Sequence, residues 1–334
     1  MRRILYIGNN LKESNPTTLR QLSKILTEVS FEVTIYSTKK NRFLRLLAMC
    51  FGVLKHRNFD YLLLDSYSTY NFYYALIVSQ LARLFSMRYI PILHGGNLPN
   101  RLIHNPWFSN LLFKSAYINV APSNYLLNEF KQNGFRTIFI PNAIDTRNYE
   151  FKKRTKVQPK LLWVRAFDEI YNPLMAIKVL SLLKEKYPSA SLCMIGPDKD
   201  GSMKDVKEKA TQLGILDAIE ITGLLSKEAW TDKSKDFDVF INTTTIDNIP
   251  VSVIEAMALG LPVVSTNVGG MPYLIDSYKN GILVADNDAK QMVIAIEELL
   301  KNPSLVNEIT NEAKERVKDF DIEMVKQQWN NLLI

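Results

Sequence analysis

Two carboxylates eight residues apart, Asp247 and Glu255, bracket a proline that can open a helix, Pro250, within FINTTTIDNIPVSVIEAMALG. A proline at a helix start gives up an amide proton that would have no partner there. The next amides, on Val251, Ser252 and Val253, then point out of the helix with the positive end of its dipole behind them, which suits a phosphate. Asn248 and Ile249 form the turn leading into this start. A carboxylate accepts two hydroxyl donors, so Asp247 and Glu255 suit a ribose diol or a sugar ring. The spacing therefore predicts a ligand with hydroxyls at both ends and phosphates between them. Arg165 closes the apolar run KLLWV with a guanidinium fork that matches phosphate oxygens. His94 closes another run, followed by Gly95, Gly96 and Asn97; the glycines allow a ligand close to the backbone.

The stretch from Phe237 to Gly270 resembles the donor-site signature of glycosyltransferase family 4, retaining enzymes of the GT-B fold. It holds Asp247, then Glu255-Ala256-Met257-Ala258-Leu259-Gly260-Leu261-Pro262-Val263-Val264, then Gly269-Gly270. The resemblance implies two doubly wound Rossmann-like α/β domains facing across a cleft, and transfer of a hexosyl group from a nucleoside diphosphate sugar to a hydroxyl of a glycan or lipid-linked acceptor. It places Glu255 on the ribose, Asp247 on a sugar hydroxyl, Arg165 on the diphosphate and His94 beside the reacting carbon. Gly196 and Pro197, in IGPDKDG, resemble the loop at the nucleotide base, and Thr222-Gly223 makes a similar strand-end turn. No metal or other cofactor is implied, and the DKD of Asp198 to Asp200 reads as part of a solvated loop.

Two departures stand out. The family more often has Glu where this chain has Asp247, and a lysine where it has Ile170 or Tyr171. Two fixed charges stabilise a departing diphosphate better than one, so another cation must substitute or transfer is slower. These departures sustain an alternative, a non-catalytic nucleotide-sugar-binding partner of a polysaccharide assembly complex. A nicotinamide oxidoreductase would need Gly-x-Gly-x-x-Gly after the first strand, where the chain reads GNNLKES. Read singly, Glu255 could be a surface residue, Arg165 an exposed strand-end charge, and His94 a locally bonded histidine.

The net charge of +7 is unevenly placed: residues 1–155 carry 21 Lys and Arg against 8 Asp and Glu, and the remainder 20 against 26. A basic first half points to a nucleic acid, an anionic membrane surface or a phosphorylated acceptor. Nucleic acid explains that half but not the phosphate-and-diol site, so a lipid-linked diphosphate oligosaccharide is the preferred acceptor. The nucleotide base stays open among UDP, GDP, ADP and CMP. Two cysteines, Cys50 and Cys193, fit a reducing cytosol, with peripheral contact at the inner face of the membrane. The opening apolar run stops at Gly8, too short for a signal peptide.

Apolar runs of strand length alternate with helical patterns along the chain: RILYIG, FEVTIYS, YLLLDS, RYIPILHG, YINVAP and TIFIPN, then KLLWVRA, ASLCMIGP, AIEITG, FDVFIN, LPVVST and GILVA. Such alternation predicts parallel strands covered on both faces. The predicted domains are an acceptor-binding domain over residues 1–150, a linker over 151–160, and a donor-binding domain over 161–320. A last helix over 321–334 crosses back as in the family. Ligands in such sheets sit beyond the carboxyl ends of strands, which singles out Gly8, Asn9, Asn10, His94, Ser123 and Asn142 in the first domain. In KKNRFLRLLAMCFGVLKHR, the residues Phe43, Leu46, Leu47, Cys50, Phe51 and Leu54 recur at helical spacing between basic ends. The preferred reading turns this stripe inward onto the sheet as a crossover helix, with the basic ends reaching lipid phosphates.

Overall fold

The computed structural model describes residues 1–8, 18–36 and 38–334. Asn9 and Asn10 lie outside these residues. The chain forms two compact units, residues 1–143 with 320–334, and residues 144–319.

In the first unit, β1 (Arg3–Ile7), β2 (Glu32–Tyr36), β3 (Tyr61–Ser66), β4 (Arg88–Leu93), β5 (Asn119–Ala121) and β6 (Thr137–Phe139) make one parallel sheet in the order β2-β1-β3-β4-β5-β6. Side chains alternate across it, as strand geometry requires. Leu5, Ile7, Leu62 and Leu64 enter one core, while Ile4, Tyr6 and Leu63 enter the other, together with Val325, Trp329 and Leu333 of the last helix. Both faces are thus covered, which is why these strands are apolar throughout.

In the second unit, β7 (Lys160–Val164), β8 (Ser191–Ile195), β9 (Ile219–Gly223), β10 (Val239–Asn242), β11 (Val263–Thr266) and β12 (Ile282–Val284) form a second parallel sheet in the order β12-β11-β10-β7-β8-β9. The doubly wound α/β class read from the sequence holds for both sheets. Strand order reverses between β7 and β10, and between β1 and β3. At these switch points the loops after neighbouring strands run to opposite faces and leave a crevice.

Two readings need correction. Residues 151–160, read as the linker, are held to the second unit. Arg154 is buried, and its guanidinium donates to the carbonyls of Leu259 at 2.9 Å and Phe237 at 3.1 Å, fixing the segment to the second unit. Burial lowers its pKa to about 10, with Asp238 opposing. The unit boundary accordingly falls between Ala143 and Ile144, ahead of that segment.

The helix Arg42–Lys55 is turned the other way from the reading above. Phe43, Leu47, Phe51 and Leu54 are exposed, while Met49, Gly52 and Val53 are buried. Gly52 sets this rotation: a Cβ there would stand 2.8 Å from the ring of Tyr36 on the edge strand β2, so only glycine allows the close contact. Asn41 caps the helix, its Oδ1 accepting from the amides of Phe43 at 3.0 Å and Leu44 at 3.1 Å. Among the described residues no helix is long and apolar enough to cross a membrane.

Candidate functional site

The site in the second unit lies at the β7/β10 switch point. Arg165 is the first residue past β7, and its amide donates to the carbonyl of Ile195 at 3.0 Å. Gly196 follows β8 with φ +155°, and a Cβ there would stand 1.8 Å from the carbonyl oxygen of Arg165. The glycine is therefore a steric requirement for placing Arg165. Its amide donates to the carbonyl of Gly223 at 2.9 Å, while the Thr222 hydroxyl donates to the same carbonyl at 3.0 Å. Pro197 is exposed and accepts from the amide of Phe167 at 2.8 Å. Gly196, Pro197, Thr222 and Gly223 thus buttress the strand end that carries Arg165.

The Arg165 guanidinium pairs through Nη2 with Asp247 Oδ2, and its Cζ lies 4.0 Å from the centroid of the Tyr171 ring. Burial lowers its pKa, with Tyr171 and Asp168 opposing. Its Nε is buried without a hydrogen-bond partner. A buried donor left open loses about 1–3 kcal/mol, so an acceptor arriving at this edge gains that much. Arg165 is not an exposed strand-end charge.

Asp247 Oδ1 accepts from the amide of Asn248 at 2.8 Å, so each of its oxygens already has one donor. An ionised carboxylate offers about four lone-pair sites, which leaves room for a further hydroxyl. The pair Gly269-Gly270 has a local cause. A Cβ at Gly270 would stand 1.6 Å from the Asn248 carbonyl oxygen, and one at Gly269 would stand 2.0 Å from that of Asp247. The Gly270 amide donates to the Asp247 carbonyl at 3.1 Å. Asn248 and Ile249 are buried.

The helix Val251–Ala258 starts after Pro250, which is extended. Its first turn departs from the expectation of three open amides. The Val253 amide donates to the Pro250 carbonyl at 3.1 Å, tightening the turn and leaving Val251 and Ser252 to offer theirs. Ser252 also carries a buried Oγ without a hydrogen-bond partner.

Glu255 is buried rather than superficial, at 4% exposure. Its Oε1 accepts from the Tyr149 hydroxyl at 2.6 Å and pairs with Lys227 Nζ at 2.7 Å. Burial raises the Tyr149 pKa, and the Glu255 carboxylate adds to the rise. Tyr149 and Lys227 went unnoticed in the sequence because neither lies in a motif. Both line an open recess of about 380 Å³.

The position of the missing lysine is also informative. Lys199 stands 3.7 Å from Asp168, with its Nζ 5.8 Å from the centroid of the Tyr171 ring that Arg165 covers. Its amide donates to the Phe167 carbonyl at 2.9 Å, so the loop backbone is fixed beside Arg165. The flanking Asp198 and Asp200 accept from backbone amides of Gly201, Glu169 and Ser202.

In the first unit, β3 and β4 are neighbours, and His94 follows β4 with its amide on the Ser66 carbonyl at 2.9 Å. Its Nε2 lies 2.9 Å from Asp65 Oδ1, which also accepts from the Tyr6 hydroxyl at 2.9 Å. An ionised carboxylate only accepts, so with Asp65 ionised Nε2 is the donor of this bond, and in the neutral ring Nδ1 is then the acceptor. The Tyr67 ring stacks on the imidazole with centroids 5.2 Å apart. A Cβ at Gly8 would stand 2.1 Å from Asp65 Oδ2, so Gly8 and His94 meet at Asp65, a residue sequence reasoning missed.

Gly95 passes so close to Ser68 that a Cβ on it would stand 2.8 Å from the Ser68 amide nitrogen. Gly96 is half-buried, and Asn97 is exposed, accepting from Asn100 Nδ2 at 2.6 Å. Ser123 is buried and caps the helix Asn124–Gln132, its Oγ accepting from the Leu126 amide at 3.1 Å. Asn142 lines a small apolar hollow with Val325 and Trp329.

Residues 145–316, just over half of the chain, match the family described as "Glycosyl transferases group 1". An uncharacterized glycosyltransferase of Haemophilus influenzae is 26% identical over 209 residues, covering 61% of this chain and 56% of that one. The putative colanic acid biosynthesis glycosyltransferase WcaL of Salmonella typhimurium is 32% identical over 130 residues, covering 36% of this chain and 32% of that one. Each match spans less than two thirds of the relative's own length. The crystal structure of Anabaena HepE in complex with UDP-glucose has a TM-score of 0.78 at 18% identity, covering 100% of this chain and 99% of that one. At that identity the likeness is one of fold.

Proposed function

The chain belongs to the glycosyl transferases of group 1 and has the GT-B fold, and on that premise we propose that it is a retaining family 4 enzyme. It moves a hexosyl group from a nucleoside diphosphate sugar to a hydroxyl of a glycan or lipid-linked acceptor in cell-surface polysaccharide synthesis. The observation that carries this reading is a pair of buried polar atoms without hydrogen-bond partners, Arg165 Nε and Ser252 Oγ, in segments that follow the adjoining strands β7 and β10. Of the eight buried side-chain atoms without a hydrogen-bond partner among the described residues, these two follow strands that flank a switch point, where a ligand can complete them.

The second unit holds the donor. Arg165 and the amides of Val251 and Ser252 meet the diphosphate, Glu255 the ribose, and Asp247 a sugar hydroxyl. When the bond from the sugar to the diphosphate breaks, its electron pair goes to the phosphate oxygen, so fixed positive charge there lowers the barrier. Lys199 supplies the second charge that position 170 or 171 lacks. With these groups the reaction needs no metal ion. On the first unit, to which we assign the acceptor, His94 is the residue we assign to the reacting carbon, the role that the family resemblance implies for it.

The UDP-glucose bound in the HepE structure supports a uridine diphosphate sugar as donor. The colanic acid biosynthesis role in the name of WcaL supports a polysaccharide as product. The test is thermal stabilisation by UDP, GDP, ADP and CMP and their sugar conjugates. At a hundredfold excess over the dissociation constant, a ligand contributes about 2.7 kcal/mol. Stabilisation by one nucleoside diphosphate, lost in Glu255→Ala, is the expected result; no shift with any of them would remove the donor site. Binding without turnover, whatever acceptor is offered, would leave the non-catalytic partner in its place.

A further inference from the structure

The outward stripe of the helix Arg42–Lys55 has no use in the site described above. At 100° per residue, Phe43, Leu44, Leu47, Phe51 and Leu54 fall within an arc of about 100°. All five are exposed, Phe43 at 68% and Phe51 at 58%. The stripe continues sideways. This helix packs on Asn71–Leu84, which exposes Ile77 and is preceded by Tyr70, exposed at 69%; that helix in turn packs on Pro106–Phe113, where Trp107 is 66% exposed. Aromatic contacts tie the three together: the Arg42 guanidinium lies 5.1 Å over the Tyr70 ring, and Tyr73 meets Phe108 edge-on at 6.2 Å. Isolated exposed apolar residues are ordinary, but a connected patch of this composition marks an interaction surface.

The charge around the patch selects the partner. No Asp or Glu occurs between Glu32 and Asp60, nor between Asp65 and Glu129, so the three helices carry no carboxylate at all. Lys39, Lys40, Arg42, Arg45, Lys55 and Arg57 flank the stripe. We propose that this face docks on an anionic lipid bilayer, with Phe43, Leu47 and Phe51 entering the headgroup boundary and the flanking cations on lipid phosphates. A second copy of the chain fits poorly, because a two-fold interface would set this acid-free cationic face against itself. The proposal deepens the reading of a lipid-linked acceptor, since the docked face belongs to the unit that receives it.

The test is co-sedimentation of the full chain with vesicles of phosphatidylglycerol mixed into phosphatidylcholine, against phosphatidylcholine alone, over a range of salt. The chain should bind the anionic vesicles, and less so as salt rises. Phe43→Ser with Phe51→Ser should lower partitioning at least tenfold at every salt concentration. Lys39→Gln, Lys40→Gln and Arg42→Gln should weaken binding to the anionic vesicles by roughly fivefold per cation and flatten its salt dependence. Partitioning unchanged in the Phe43→Ser, Phe51→Ser protein would overturn the proposal. A dimer of the unmodified chain that this variant converts to monomer would overturn it too, assigning the face to self-association. Thermal stabilisation by nucleoside diphosphates, measured on the same variants, should be retained; its loss from the unmodified chain would count against the donor site and not against the docking face.

Discussion

The imidazole Nε2 of His94 and the carboxylate of Asp65 stand 2.9 Å apart, at the ends of the adjacent strands β4 and β3, with the Tyr6 hydroxyl on the same carboxylate oxygen. The pair fixes which ring nitrogen is open, so Asp65 is a positioning residue for His94. Asp65→Asn keeps the shape but can donate to Nε2 and so shift the proton to Nδ1. Transfer should slow, because the ring would then present a proton where it now presents an acceptor. Donor affinity, which we assign to the other unit, should hold. An unchanged turnover number would separate His94 from the chemistry.

Lys199→Gln tests the second charge. Lys199 is over half exposed, and its loop is held by backbone bonds, so the melting temperature should not move. The turnover number should fall about tenfold, which corresponds to about 1.4 kcal/mol of lost transition-state stabilisation. If turnover and donor affinity both match the unmodified enzyme, Arg165 acts alone.

Glu255 joins ligand binding to folding. Glu255→Ala should weaken donor binding by roughly 1.5–3 kcal/mol and also lower the melting temperature, because Tyr149 and Lys227 lose their acceptor. Glu255→Gln keeps an acceptor for Tyr149 and should recover most of the stability, yet little of the affinity. Calorimetric titration with the nucleoside diphosphate, beside thermal melts, distinguishes the two effects; full affinity in the glutamine variant would take Glu255 off the ribose.

Gly270→Ala should be severe although the residue has ordinary φ of −80°. The added methyl would meet the Asn248 carbonyl at 1.6 Å, so the Asp247–Asn248 backbone must move. A shift of that segment displaces Asp247 from Arg165. Donor binding should be lost while the far-ultraviolet circular dichroism spectrum stays that of the folded chain; retained binding would show that the loop tolerates displacement.

His56 gives a pH signature. Burial lowers its pKa below the ordinary 6.5, Lys55 adding to the shift and Glu32 opposing it. Its Nε2 lies 3.2 Å from the Tyr36 hydroxyl, which can donate to the neutral ring. Below pH 6.5 the unfolded chain takes up this proton before the folded one does. The contribution of His56 to stability is therefore complete above 6.5 and declines as pH falls through 6.5 toward the lowered folded value. A nuclear magnetic resonance titration should find the His56 midpoint below 6.5, and a midpoint at or above it would contradict the account.

Much of the fold could be read from the chain because buried parallel strands are apolar on both faces, and runs such as YLLLDS and KLLWV announce themselves without partners. The spacing of Asp247, Pro250 and Glu255 was legible for a similar reason: a loop and one helical turn are local. The glycines were visible as residues but not as causes. Only the folded chain shows Gly196 against the Arg165 carbonyl, or Gly270 against that of Asn248.

Contacts between residues far apart in the chain stayed hidden. Asp65 meets His94 because β3 pairs with β4, Lys199 comes to Tyr171 because the loops after β7 and β8 are bonded together, and Tyr149 reaches Glu255 from 106 residues away. The helix Arg42–Lys55 shows the division most clearly. Its sequence determined that it would be amphipathic and basic at both ends. Which side faces the sheet was decided by tertiary structure, where the absent side chain of Gly52 lets the helix settle on Tyr36 and turns Phe43, Leu47 and Phe51 outward.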